Sequence, residues 1–160
     1  MFLFRERTIH RFISTVDSRH PWRDLVLQLT VTDMGVRSAA IALAASAEGS
    51  APTLSRSSEM FSQATHNKSY IVHYNRAIKT VRDTLASTTS LQDDRLIPCL
   101  VANSLFTAIE LSRDTLDLGF VHIQSGLRIA RSYMNSVAGS KKKPLYHHIL
   151  ALRRVFVCYL

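Results

Sequence analysis

Hydrophobic positions recur along this chain every three or four residues, and this spacing predicts α-helices throughout. The clearest stretch is VRSAAIALAASAE, which is apolar on more than one side, because Ile41, Ala42 and Ala45 fall off its main face. An alanine-rich helix of this kind is buried between close neighbours, so we expect it to be the central strut of the fold. Asp33 is its expected N-cap, and Gly49 is expected just after its end. The main face comprises Val36, Ala39, Ala40, Leu43, Ala44 and Ala47.

Six further helices are predicted around this strut, which makes seven. In chain order they cover 2–16, WRDLVLQLTV after Pro21, 59–86, a stretch from Asp93 or Asp94 to about Arg113, 115–138, and a last helix that Pro144 opens. Pro98 falls near the first turn of the fifth helix, where proline is tolerated. The loop GSAPTLSRSS, by its composition, is expected to be mobile.

Two of the longer helices carry apolar stripes that predict their buried faces. Gly119 and Gly126 are seven residues apart in the sixth helix and predict a close helix contact there. The stripe of the fourth helix is Ile71, Tyr74, Ile78, Val81 and Leu85, and that of the sixth is Leu116, Phe120, Ile123, Leu127, Ala130, Met134 and Val137.

The expected fold class is therefore all-α, with about seven helices stacked as antiparallel hairpins. We expect residues 1–138 to form the core of one helical domain. Residues 139–160 are expected to add a basic loop and a truncated-looking terminal helix that packs on the same domain. The apolar end VFVCYL leads us to expect self-association or dye binding by the purified chain.

The net charge of +8 is concentrated at the C-terminal end, since residues 118–160 contain seven Lys or Arg and no acid. This asymmetry has two interpretations: a surface for nucleic acid or an acidic partner, or a chain whose balancing acids lie elsewhere. We favour the second. The two cysteines, Cys99 and Cys158, suggest neither a disulfide framework nor a zinc site. No run approaches the length of a membrane span, so a soluble intracellular protein is expected.

Candidate chemistry is sparse. No catalytic residue, metal ligand or cofactor site is predicted, because the histidines and acids do not fall at the spacings that such sites need. His122 is expected to be a hydrogen-bonded structural residue, with ligand sensing as the alternative. Cys99, in an apolar helix, should behave as a small inert hydrophobe. A candidate import or phosphate-binding patch comprises Lys141, Lys142 and Lys143, although a solvated loop is the simpler interpretation.

Four stretches, in order over residues 5–137, resemble the regulatory domain of fungal zinc-cluster (Zn2Cys6) transcription factors. They are WRDLVLQLTVTDMGVRSAAIALAASAE, YIVHYNRAIKTVRD, LIPCLVANSLFTAIELSR and LGFVHIQSGLRIAR. The chain departs from the family in two ways. Ala47 and Glu48 replace the usual His-Glu pair, and nothing resembles the six-cysteine DNA-binding module.

The resemblance implies a nuclear, non-enzymatic regulatory domain that modulates transcription through protein partners, self-association or an effector. Without the zinc-cluster module, it should bind nucleic acid at most weakly and non-specifically, and no membrane or cofactor is implied. The alternative is a helical scaffold or adaptor with no role in transcription. A third hypothesis is a basic nucleic-acid-binding protein that acts through residues 118–160.

Overall fold

A computed structural model describes residues 21–49, 59–88 and 95–137 of the chain. Within these ranges the secondary structure consists of five α-helices without strands, which confirms the all-α class. The helices predicted at 2–16 and after Pro144, and most of the GSAPTLSRSS loop, lie outside them. The helices are α1 (Pro21–Thr32), α2 (Met34–Gly49), α3 (Glu59–Ser87), α4 (Leu96–Ser112) and α5 (Leu116–Val137).

Two helix boundaries differ from their predicted positions by a few residues or less. Gly49 is the last residue of α2 and does not follow its end. The helix predicted from Asp93 or Asp94 begins at Leu96, where the preceding Arg95 makes no side-chain capping bond. Pro98 is the third residue of α4, within the first turn, where its missing N–H costs no intrahelical bond.

The connection between α1 and α2 is a sharp elbow of 112°. Asp33 is the N-cap that the sequence predicted, because its Oδ1 accepts a hydrogen bond of 2.8 Å from the Val36 amide. Arg37 reaches back to the end of α1, where Nε donates to the Thr30 carbonyl at 3.0 Å and Nη2 donates to that of Val31. A cation placed there also interacts favourably with the negative end of the α1 dipole.

Helix α2 is the central strut that its composition predicts. It packs against α1, α3 and α4. Ala40 and Leu43 are buried, and so are Ala42 and Ala45 on another side of the helix. Gly35 lets α3 approach closely, since a Cβ atom there would lie 3.3 Å from Cγ2 of Thr80. Small side chains thus permit contact on several sides at once.

Helix α4 is a second central helix, which packs against α2, α3 and α5. Every residue from Leu96 to Glu110 except Pro98 is buried. Its buried hydroxyls bond within the helix: Ser104 donates to the Val101 carbonyl at 2.7 Å and Thr107 to that of Asn103 at 3.1 Å. These bonds satisfy polar groups that would otherwise be costly to bury.

The predicted stripes are partly wrong. On α3, Tyr74, Ile78, Val81 and Leu85 pack on the core, but Ile71 is 53% exposed, because Tyr70 and Ala77 share the inward side. On α5, Leu116 and Phe120 are exposed although both were predicted to be buried, whereas Tyr133 is buried. The core face of α5 is rotated towards the side that contains Gly119, Ile123, Gly126, Ala130 and Tyr133.

None of the described helices is by itself long and apolar enough to cross a membrane. Only α1 and α2 taken together reach the required length and composition, across their 112° bend.

Candidate functional site

A cluster of polar and aromatic side chains lies where α3, α4 and α5 meet, and it is the most unusual feature of the described core. Its centre is Glu110, an acid that is only 3% exposed in the last turn of the otherwise uncharged α4. A carboxylate is disfavoured there by burial and by the negative end of the helix dipole. The neighbours of Glu110 must therefore offset the cost of burying its carboxylate.

The turn after α4 provides part of this compensation. Asp114 adopts a positive φ of 58°, which allows the Thr115 amide to donate to the Glu110 carbonyl at 3.0 Å and the Asp114 amide to donate to that of Leu111 at 3.3 Å. This pair of bonds is a Schellman motif. It brings the Thr115 hydroxyl within hydrogen-bonding distance of the Glu110 carboxylate and 2.9 Å from the Glu110 carbonyl.

Tyr74 of α3 and His122 of α5 complete the polar cluster. The Tyr74 hydroxyl lies 3.0 Å from His122 Nε2. Burial raises the pKa of Tyr74 well above its ordinary value, and a hydrogen bond to Glu110 and the charge of Glu110 raise it further. The phenol therefore keeps its proton. If its O–H donates to Glu110, the phenol oxygen accepts from His122, and that bond needs the His122 tautomer with hydrogen on Nε2.

Aromatic rings cover this polar chain. The Phe106 ring lies 5.3 Å from the rings of Tyr74 and His122, and the Tyr70 ring lies 5.4 Å from that of Tyr74. The guanidinium of Arg113 is 4.3 Å from the centre of the Tyr70 ring, within cation–π distance. Burial lowers the pKa of His122, although the charge of Glu110 opposes that effect, so the imidazole is neutral near pH 7.

A carboxylate, a phenol and an imidazole in series can in principle relay a proton. Here Glu110 is buried, and the Tyr74 hydroxyl is committed to partners on both sides. A general acid or base must come within hydrogen-bonding distance of the substrate atom that it serves. The arrangement instead joins three helices through their side chains, and its chemistry is that of a structural network.

The residues singled out in the sequence have different outcomes. His122 makes the hydrogen bond that was expected of it. Cys99 is buried in α4. The patch of Lys141, Lys142 and Lys143 lies outside the described residues. Among the described residues, no group of three His, Cys, Asp or Glu side chains could hold a metal ion.

The sequence analysis did not predict a role for Glu110, because the acids and histidines do not fall at the spacings that a catalytic or metal site needs. The signal was its setting, since α4 contains no other charged residue between Leu96 and Ser112. An acid in such a helix must find hydrogen-bond donors or remain unsatisfied.

Exposed apolar side chains gather at the start of α5, beside this cluster. Leu116, Leu118, Phe120 and Val121 are between 44% and 54% exposed. Residues 114–118 also line a shallow depression that is open to solvent. The backbone of α5 lies close to side chains of α4 here, since a Cβ atom on Gly119 would be 3.3 Å from Cδ2 of Leu111. This confirms the close contact predicted for Gly119.

Comparisons of this chain with family models, curated proteins and solved structures find no match.

Proposed function

We propose that this chain is a regulatory domain that modulates transcription through protein partners, self-association or an effector, without catalysis and without reading DNA itself. The observation that supports this function best is the group of four half-exposed apolar side chains within the first six residues of α5. Exposed apolar residues that gather in one short segment are typical of protein contacts. The transcriptional part rests on the resemblance of residues 5–137 to the zinc-cluster family.

The proposal extends to the whole chain. We infer seven helices stacked as antiparallel hairpins, with 1–138 as the core and 139–160 packed on it, and a location in the nucleus. Hydrogen exchange of the full chain tests the two terminal helices. Slow exchange within 2–16 and 144–160 would support them, and exchange at the rate of an unfolded peptide would contradict them.

The function is tested by fusing the full chain to an unrelated DNA-binding module and measuring a reporter gene. We expect the fusion to change reporter output. Replacing Leu118 and Phe120 with serine should remove that change, because both side chains belong to the exposed group on α5. Val31, which is also exposed but lies on α1, provides the matched control when it is replaced with serine.

The scaffold alternative gives a different result in the same experiment. A scaffold would bind proteins through α5 and leave reporter output unchanged by the fusion. Sedimentation of the purified chain distinguishes self-association from other partners, because self-association depends on the concentration of the chain alone. A concentration-independent monomer would contradict the self-association route.

A further inference from the structure

The solvent-facing side of α3 carries a continuous stripe that the core does not use. The stripe is called here the α3 outer surface. Its later members come three, four, eight, eleven and fourteen residues after its first, so they lie on one side of the helix. All of them are exposed, whereas Tyr74, Ile78 and Val81 pack on the core. The α3 outer surface comprises Lys68, Ile71, Val72, Arg76, Lys79 and Arg82.

This surface combines apolar side chains with positive charge. Ile71 is 53% exposed and Val72 is 48% exposed, while the other four members are cations. Among the residues that the structure describes, the acid beside this surface is Asp83, which lies 3.7 Å from Arg82 Nε and is itself exposed. With a rise of about 1.5 Å per residue, residues 68–82 extend over about 21 Å, which suits a helical or extended segment of another chain.

We infer that the α3 outer surface binds a segment of a partner protein that is acidic and carries large apolar side chains. The cations of α3 would attract the acids, and Ile71 and Val72 would bury the apolar groups against that segment. Charge complementarity of this kind steers association and fixes orientation, while apolar burial supplies affinity. Acidic segments with interspersed hydrophobic residues are a recognised class of binding sequence.

A nucleic acid fits the same surface less well. Phosphates would engage the cations, but they would leave Ile71 and Val72 against a charged backbone without any gain from burial. The inference uses residues of α3 and no residue of the exposed group on α5. It can therefore fail while the proposed function stands, and the reverse is also true.

The test measures binding of the full chain to a synthetic peptide of about 20 residues that places leucine and phenylalanine among aspartates at helical spacing. A second peptide replaces every leucine and phenylalanine with serine and keeps the charge. A DNA duplex is the third probe. Amide chemical shifts of the unmodified chain identify the surface that each probe contacts.

Three double variants accompany these probes. Ile71→Ser with Val72→Ser removes the apolar part of the surface, and Lys68→Glu with Lys79→Glu reverses half of its cations. Arg128→Glu with Arg131→Glu is the matched control, because it reverses two exposed cations of α5. Circular dichroism checks that each variant is folded. If a variant does not fold, the amide chemical shifts of the unmodified chain alone decide which surface the peptide contacts.

We expect the acidic apolar peptide to bind and to shift the amides of 68–82. Each α3 double variant should weaken this binding about tenfold, and the α5 control should change it less than about twofold. The inference is overturned if the serine peptide binds equally well, if the duplex binds α3 more tightly, or if no binding is seen up to about 1 mM peptide.

Discussion

Tyr74 and His122 are 48 positions apart in the chain, and their side chains meet at 3.0 Å. They join α3 to α5, two helices whose backbones make few contacts with each other. Phe106 of the intervening α4 packs against both rings. The contact therefore bridges a gap between helices through side chains, with Glu110 of α4 as the third polar member. Networks of this kind hold helices in one relative arrangement, and each member depends on the others.

Replacing Tyr74 with phenylalanine should lower the free energy of unfolding by about 1–3 kcal/mol, because it leaves the His122 nitrogen and the Glu110 carboxylate without the hydroxyl between them. Urea unfolding measures this change. Tyr70→Phe is the matched control, since the Tyr70 ring packs in the same cluster, and it should cost less than about 0.5 kcal/mol. Equal losses in the two variants would show that the Tyr74–His122 bond contributes nothing.

The stability of the chain should fall as the pH drops below about 6.5. Burial lowers the pKa of His122 in the folded state, and burial and the nearby Arg76 lower that of His73. The unfolded chain then binds more protons than the folded chain. This contribution to stability is complete above the unfolded pKa and is lost as the pH falls from there through the folded pKa.

Urea unfolding between pH 7.5 and pH 5 measures this dependence for His122→Gln and His73→Gln beside the unmodified chain. Each replacement should flatten the slope, and His122→Gln should flatten it more, because His122 is the more deeply buried of the two. A slope that neither replacement alters would assign the dependence to other groups.

Periodicity along the chain predicted the helices and the place of α2, because a helix that is apolar on several sides can only be stable between neighbours. Periodicity did not predict correctly which sides of α3 and α5 face the core. Ile71 and Phe120 fit a stripe of regular spacing as well as buried residues do. Which side faces the core depends on the neighbouring helices, and one helix pattern contains no information about them.

The cluster around Glu110 was beyond sequence reasoning for a related reason. Its members come from α3, α4, α5 and the turn between the last two helices. No local spacing relates Tyr74 to Glu110 or His122. The sequence can mark His122 and Glu110 as residues that need hydrogen bonds, but their partners follow from the packing of three helices.

Replacing Leu43 with alanine should cost about 2–5 kcal/mol, because the side chain is only 4% exposed in α2 and its removal leaves a cavity in the core. Thermal or urea unfolding provides the measurement. The same truncation at exposed Val31, Val31→Ala, should stay within about 0.5 kcal/mol of the unmodified chain. A loss at Leu43 no larger than that at Val31 would mean that α2 is not a packed strut.

Replacing Asp33 with alanine should destabilise the elbow between α1 and α2 by roughly 0.5–2 kcal/mol, since the Val36 amide loses its acceptor. Asp33→Asn keeps an oxygen in the same place and should cost much less. Unfolding curves of both variants distinguish the contribution of the capping hydrogen bond from that of the carboxylate charge. If the asparagine variant lost as much as the alanine variant, the carboxylate charge and not the hydrogen bond would be responsible.

The chain should not recognise a particular DNA sequence. The family that it resembles reads DNA through a zinc module, and two cysteines 59 positions apart cannot supply six thiolates to two metals. The seven cations and absent acids of residues 118–160 would attract phosphates of any sequence. Such binding is typically about 10⁻⁴ to 10⁻⁶ M at physiological salt and weakens steeply as salt rises, because the gain from counterion release disappears.

Titration of the purified chain against a promoter duplex and a scrambled duplex at two salt concentrations measures both properties. We expect equal, weak and salt-sensitive binding to the two duplexes. The variant Lys141→Ala, Lys142→Ala, Lys143→Ala should weaken both equally and reduce the salt dependence, because each cation that contacts a phosphate releases counterions. Tight binding to one duplex that survives the higher salt would replace the regulatory-domain proposal with a direct DNA-binding function.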